Sequence, residues 1–355
     1  MLHRRDAMLR MGGGALLAGL LGAQRRGSSP APARAAARPA SFPGLTRPIL
    51  FNTPEADRIL EALQVFPPNN PWNMDISGWP LHPNSRNIID AIGADKPMRY
   101  NPDVGFVLVP PNQPRVPVQI GYAAESDPGP FPIPENMPIE GWPGHPEFFP
   151  NRATPTLDEM QRDAVKFGGD RHAVVVDPGN GMLYEFYNAR KTDSGWEVRF
   201  AAAFDLKSNR LRPETWTSAD AAGLPIFPAL VRYHELQRGQ IRHALRVTIS
   251  RTRRAYVSPA RHFASQNNDP NLPRMGERFR LRRDYETSGF SPVVRMILEG
   301  LKRHGMLVAD NGIDWAISVT PDQRIPILNE ELRQIKGSAF EVVEAPRSRR
   351  SPPYR

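Results

Sequence analysis

Apolar positions along the chain fall into two regimes. From about residue 168 onward they alternate with polar ones in short runs, the period-two signature of β-strands. Strands are predicted over 172–177, 182–187, 196–204, 241–250, 255–258, 277–282, 306–309, 313–319 and 340–344. Pro178-Gly179-Asn180-Gly181 supplies a hairpin turn between the first two. Downstream, helical spacing is clear over 292–303, where Val293, Val294, Ile297, Leu298 and Leu301 recur and Gly305 marks the stop. A shorter helix is predicted over 329–335. Upstream, residues 41–155 hold 23 of the 39 prolines, which remove backbone donors and favour loops, turns and short strands. Thr53 and Pro54 open a helix predicted over 54–65, and short strands are expected at 105–109 and 116–122.

Many strands, few helices and no alternating βα rhythm predict a mainly β fold. The expected form is an antiparallel β-sandwich of jelly-roll type with a Pro-rich N-terminal wrap and one or two helices. A single domain is read over 42–345, the loops of 42–165 packing on the strands of 166–345. Residues 1–23 run from the basic start Arg4-Arg5-Asp6-Ala7-Met8-Leu9-Arg10 into a Gly/Ala/Leu stretch of about a dozen residues, too short for a membrane anchor. That pattern reads as an export signal, with a paired arginine resembling a twin-arginine leader. A general secretory signal is the other form, and a linker extends to about residue 41. An extracytoplasmic location, periplasmic or secreted, follows as an expectation.

Charge and cysteine content narrow the function classes. The net charge of +9 suggests nucleic acid until it is mapped. Residues 1–40 carry seven Arg against one Asp, and the last ten carry four Arg and no acid. The 305 residues between hold 35 basic and 36 acidic side chains. The basic excess therefore sits in two tails, 346–355 reading as disordered, and no nucleic-acid partner is expected. With no Cys in the chain, disulfides, iron–sulfur clusters, thiolate zinc sites and cysteine nucleophiles are excluded. Gly-x-Ser-x-Gly, a Walker loop, His-Glu-x-x-His and an EF-hand loop are all missing. No apolar run is long enough to span a bilayer.

Candidate chemistry is dispersed along the strands. His172 shares a strand face with Val174 and Val176, and His243 shares one with Ile241, Leu245 and Val247. Glu185 lies among Tyr184, Phe186 and Tyr187, whose bulk could raise its pKa as an acid catalyst requires. Asp127 sits in the stiff loop Glu125-Ser126-Asp127-Pro128-Gly129-Pro130. Paired carboxyls suit glycosidic hydrolysis. A His base with Tyr184 as acid and an Arg clamp suits β-elimination on a uronate. The candidate catalytic residues are thus His172, His243, Glu185, Asp127 and Tyr184, with Arg171, Arg246, Arg278 and Trp142 as substrate contacts. No cofactor is expected. The alternative would be a metal held by His172, His243 and His262, as in a His-ligated oxidase.

Several stretches together resemble a family of secreted bacterial β-sandwich proteins of unassigned function. They are Asn70-Pro71-Trp72-Asn73, the loop from Glu125 to Pro130, Gly169-Asp170-Arg171-His172, the segment from Trp216 to Pro225, His243-Ala244-Leu245-Arg246 and Ala309-Asp310-Asn311-Gly312. The resemblance spans about 65–343. It implies export and a sandwich, and it assigns no catalytic residues. The leading expectation is an exported carbohydrate-active enzyme that cleaves an extracellular polysaccharide by hydrolysis or β-elimination. A non-catalytic glycan- or surface-binding module is the competing reading.

Overall fold

A computed structural model describes residues 45–144 and 154–346. The export-signal reading and the basic tail beyond Pro346 lie outside the described residues. Fourteen strands are present among those described. In chain order they are β1 (Ile49–Leu50), β2 (Arg99–Pro102), β3 (Val107–Leu108), β4 (Val118–Ile120), β5 (Ala173–Asp177), β6 (Met182–Tyr187) and β7 (Arg190–Thr192). There follow β8 (Gly195–Val198), β9 (Phe200–Asp205), β10 (Leu245–Ile249), β11 (Arg278–Leu281), β12 (Met306–Asn311), β13 (Ala316–Val319) and β14 (Phe340–Val343). The helices are α1 (Pro54–Ala62), α2 (Ser85–Ile92), α3 (Leu157–Arg162), α4 (Ala164–Phe167), α5 (Tyr233–Arg238), α6 (Pro292–Arg303) and α7 (Asn329–Leu332).

These strands build three sheets, ordered β1-β3-β5-β6-β9, β14-β11-β12-β10-β13-β2 and β4-β8-β7. The antiparallel jelly-roll expectation is wrong. Neighbours β3 and β5, β10 and β12, β13 and β2, and β4 and β8 all run parallel. Parallel neighbours need a crossover, and these are made by long irregular segments as well as by α6. The residue pattern that revealed the strands reports which face is buried, not which way the chain returns. The Pro-rich half also does more than wrap: it contributes β1 and β3 to one major sheet and β2 to the edge of the other.

Local chemistry accounts for the best-formed elements. Helix α6 opens on Ser291, whose hydroxyl accepts from the Val294 amide, with Pro292 in the first turn. It buries Val294, Ile297, Leu298 and Leu301. It stops where Gly305 turns to φ +67°, and a Cβ there would lie 2.2 Å from the Phe279 carbonyl oxygen, so only glycine fits. The β5–β6 hairpin closes through Asp177, whose Oδ1 accepts from the Asn180 amide at 2.9 Å, followed by Gly181 at φ +69°.

Strand β5 is buried throughout, and so is β6 after its first residue. Val174, Val176 and Leu183 enter the larger core, which also takes in residues of the six-stranded sheet and of α1, α2 and α6. Ala173, Val175, Tyr184 and Phe186 enter a second core shared with Trp196 and Val198 of β8. The five-stranded sheet is thus covered on both sides. No helix among the described residues is long and apolar enough to cross a membrane.

Candidate active site

Where the two major sheets meet, a set of charged side chains is gathered in place of hydrocarbon. Arg246 of β10 lies beside Ser318 of β13, its Nη1 donating to the Ser318 hydroxyl at 2.5 Å. Ser318 is in register with Asn101 of β2, and Asp103, one residue beyond that strand, continues the same face. From the five-stranded sheet come His172, immediately before β5, and Glu185 in the middle of β6. Two loops supply Glu140 and Asp220.

The contacts form a continuous chain. Arg246 forks onto Asp220, with Nε donating to Oδ2 at 2.9 Å and Nη2 to Oδ1. Burial alone would lower the Arg246 guanidinium, but the carboxyls of Asp220, Asp103 and Glu140 raise it. The His172 ring meets an oxygen at each nitrogen: Glu140 Oε2 at 2.9 Å from Nδ1 and the Ala219 carbonyl at 3.1 Å from Nε2. Both nitrogens therefore donate, and the ring is held as an imidazolium. Burial works against that charge, but Glu140 outweighs it and lifts His172 to about 9. Glu140 answers in the opposite sense. Burial would raise it, yet the charge and hydrogen bonds of His172, including the His172 amide at 3.0 Å, take it down to about 2.

Asp103 is the contrasting group. The Gly141 amide donates to its backbone carbonyl at 2.7 Å, which fixes it beside Glu140. Burial, then the negative charge of Glu140, pushes its carboxyl up to about 7. Its Oδ1 is buried with no hydrogen-bond partner among the described residues. Both carboxylic residues are half-buried, as is Trp142 two positions beyond Glu140, whose ring meets Phe51 edge-on with centroids 6.4 Å apart. Two neighbouring carboxyls driven to opposite ionisation states are the arrangement that general acid–base chemistry uses.

Of the residues singled out from sequence, His172, Glu185 and Arg246 do converge here, but none as a free reactant. The His172 ring is spent on Glu140 and Ala219. Glu185 is fully enclosed, its two oxygens accepting from the Ile226 and Phe227 amides at 2.8–2.9 Å. Burial first, with Asp220 adding, raises it to about 7. His243 belongs to another cluster, where its Nε2 lies 2.8 Å from Glu235 Oε1 and its Nδ1 2.8 Å from its neighbour's carbonyl, that of Ala244. Tyr184 faces the opposite core from Glu185, and its hydroxyl accepts from Arg115 at 2.9 Å. Asp127 organises a loop, accepting from Arg212 at 2.5 Å and from the Ala203 amide at 2.9 Å.

Arg171 and Arg278 are buried clamps on backbone carbonyls: Ala189, Met160 and Gln161 for the first, His304 and Pro71 for the second. His262 Nδ1 is turned to the Ala221 carbonyl at 2.7 Å. The three histidines are thus committed to separate partners, and no group of three or more His, Asp or Glu among the described residues could hold a metal ion.

Asp103 and Glu140 themselves escaped the sequence reading. A faint signal exists for each, a lone acid inside a Pro-rich apolar stretch: Asn101-Pro102-Asp103-Val104-Gly105 and Pro138-Ile139-Glu140-Gly141-Trp142. In comparisons with known proteins, no family model, curated protein or solved structure matches the chain.

Proposed function

We propose that the chain is an exported glycoside-cleaving enzyme that acts on an extracellular polysaccharide by hydrolysis. Asp103 serves as the proton donor to the departing oxygen, and Glu140 as the carboxylate that activates water or attacks the sugar. The observation that carries this reading is a pair of neighbouring, half-buried carboxyls in unlike settings: Glu140 bound to the His172 ring at 2.9 Å, and Asp103 with its Oδ1 buried and unpartnered among the described residues. His172 and, beyond it, the Arg246 guanidinium keep Glu140 ionised, while Asp103 keeps a proton near neutrality. Trp142, half-buried and two positions beyond Glu140, is the aromatic this reading assigns to a sugar ring. Elimination is the weaker form of the idea, because His172 has no free nitrogen to take a proton and Tyr184 lies on the far side of β6.

The test is incubation of the purified protein with a panel of neutral and acidic polysaccharides, following new reducing ends and the ultraviolet absorbance of unsaturated uronates. Reducing ends that vanish in both Asp103→Asn and Glu140→Gln support hydrolysis. Unsaturated products would transfer the reading to elimination, and binding without either product would transfer it to a glycan-binding module.

A further inference from the structure

A cavity of about 310 Å³ lies away from the carboxyl pair, between the C-terminal end of α1 and helix α5. Its size is at the lower end of small-molecule sites, ~300–1,000 Å³. On its deep side a salt-bridge network is already closed: Arg232 Nη2 donates to Glu235 Oε1 at 2.9 Å, and the same oxygen lies 2.8 Å from His243 Nε2. Arg232 also reaches back, donating through Nη1 to the Phe227 carbonyl at 2.6 Å.

The remaining polar groups are not closed. His234 is buried, with a relative exposure of 6%, and its Nδ1 is enclosed with no hydrogen-bond partner among the described residues. Burial keeps that ring neutral, taking it down to about 3. Arg242 spends only Nε, on Gln240 at 2.9 Å, which leaves both Nη groups. Arg238 spends only Nη1, on Glu61 at 3.4 Å. Arg232, Arg238 and Arg242 face Glu61 and Glu235, so these five side chains leave one positive charge unbalanced. Leu60 and Leu63 supply an apolar wall.

We infer that this cavity binds a small organic monocarboxylate whose apolar body lies along Leu60 and Leu63 and whose carboxylate is received by Arg238, Arg242 and the His234 ring. One uncompensated positive charge matches a monoanion better than a phosphate dianion, and the leucine wall favours an apolar body over a bare ion. The inference stands apart from the proposed hydrolysis, since it uses none of the residues of the carboxyl pair.

The test is a titration of the full chain with benzoate, with benzyl alcohol and inorganic phosphate as controls, followed by calorimetry and by the His234 ring resonances in NMR. Benzoate is expected to bind at millimolar concentration or below and to shift the His234 signals. Benzyl alcohol and phosphate should each bind at least about tenfold more weakly. Arg242 is exposed and Arg238 half-buried, held only by a 3.4 Å contact to Glu61, so Arg242→Gln should keep the melting temperature and Arg238→Gln nearly so, while each weakens benzoate by about tenfold. Absence of benzoate binding, binding that leaves the His234 signals still, or binding indifferent to both variants would overturn the assignment. Phosphate binding as tightly as benzoate would overturn the choice of a monocarboxylate.

Discussion

Replacing Asp103 with Asn separates the two effects that its burial produces. The carboxyl is held at about 7 in the folded protein against 3.8 for an ordinary aspartate. Between those values the folded state binds a proton that the unfolded chain has released, so stability falls as the pH rises through the window and the penalty is complete above about 7. At ~1.4 kcal/mol for each pH unit of displacement, and with part of the effect shared with Glu140, the charged form costs about 2–4 kcal/mol. The neutral amide carries no such cost. Asp103→Asn should therefore be more stable than the parent by about 2–4 kcal/mol at pH 8, with the gap closing as the pH approaches ~4. Urea denaturation across pH 4–9 measures it, roughly, against the linear dependence on denaturant. The same variant should lose about a hundredfold or more in glycan cleavage, the usual contribution of a positioned proton donor. A variant that is less stable than the parent at pH 8, or whose stability difference does not change with pH, would refute the claim that Asp103 is a strained acid.

Other consequences of the same electrostatics are as direct. Cleavage should fall above pH 7 as Asp103 loses its proton, and hold steady down through the weakly acidic range because Glu140 stays ionised; initial rates in mixed buffers check this. Glu140→Gln leaves a buried imidazolium without its counter-charge, at a cost of about 3–5 kcal/mol. The parent's advantage should be full between about pH 4.5 and 6.5, lost as the pH rises through about 9, where His172 deprotonates, and lost again as it falls toward about 2, where Glu140 protonates. In that variant the NMR titration of His172 should move from about 9 to below the ordinary histidine value of 6.5. Arg246→Met strands Asp220 in the core and should destabilise by about 3–5 kcal/mol in chemical denaturation. Gly305→Ala should cost well over the ~1 kcal/mol expected at Gly239, because Gly239 also has positive φ but open space around its missing Cβ.

Much of the local structure is legible in the chain. The helix opened by Thr53-Pro54, the one following Ser291-Pro292, the hairpin at 178–181 and the extent of β6 all follow from capping, turn chemistry and period. What failed was wherever tertiary context decides. The apolar run 196–204 reads as one strand, yet the chain changes sheet at Arg199. Trp196 and Val198 face the smaller core, while Phe200, Ala202 and Phe204 face the larger one. Helix α2 escaped because its short apolar set, Ile88, Ile89 and Ile92, follows Asn84, which makes no side-chain cap. Helix α5 also went unpredicted; it is closed by Gly239 in the left-handed conformation.

The site was obscured by a related ambiguity. In Leu245-Arg246-Val247-Thr248-Ile249 the alternation reads as one face in the core and one in water, but Arg246 and Thr248 are as buried as their neighbours. A strand with two buried faces, one of them polar, has the same period as a half-exposed strand. The difference lies in whether matching charges wait across the gap, and Asp220, Asp103 and Glu140 come from distant loops that no local pattern links to β10. His172, singled out for its inward face, and Glu185, for its aromatic neighbours, instead help to hold that polar layer together. Asp103 and Glu140 are half-buried members of that layer. In the proposed hydrolysis the acid and base roles fall to Asp103 and Glu140 because burial and the His172 ring drive these two carboxyls to opposite ionisation.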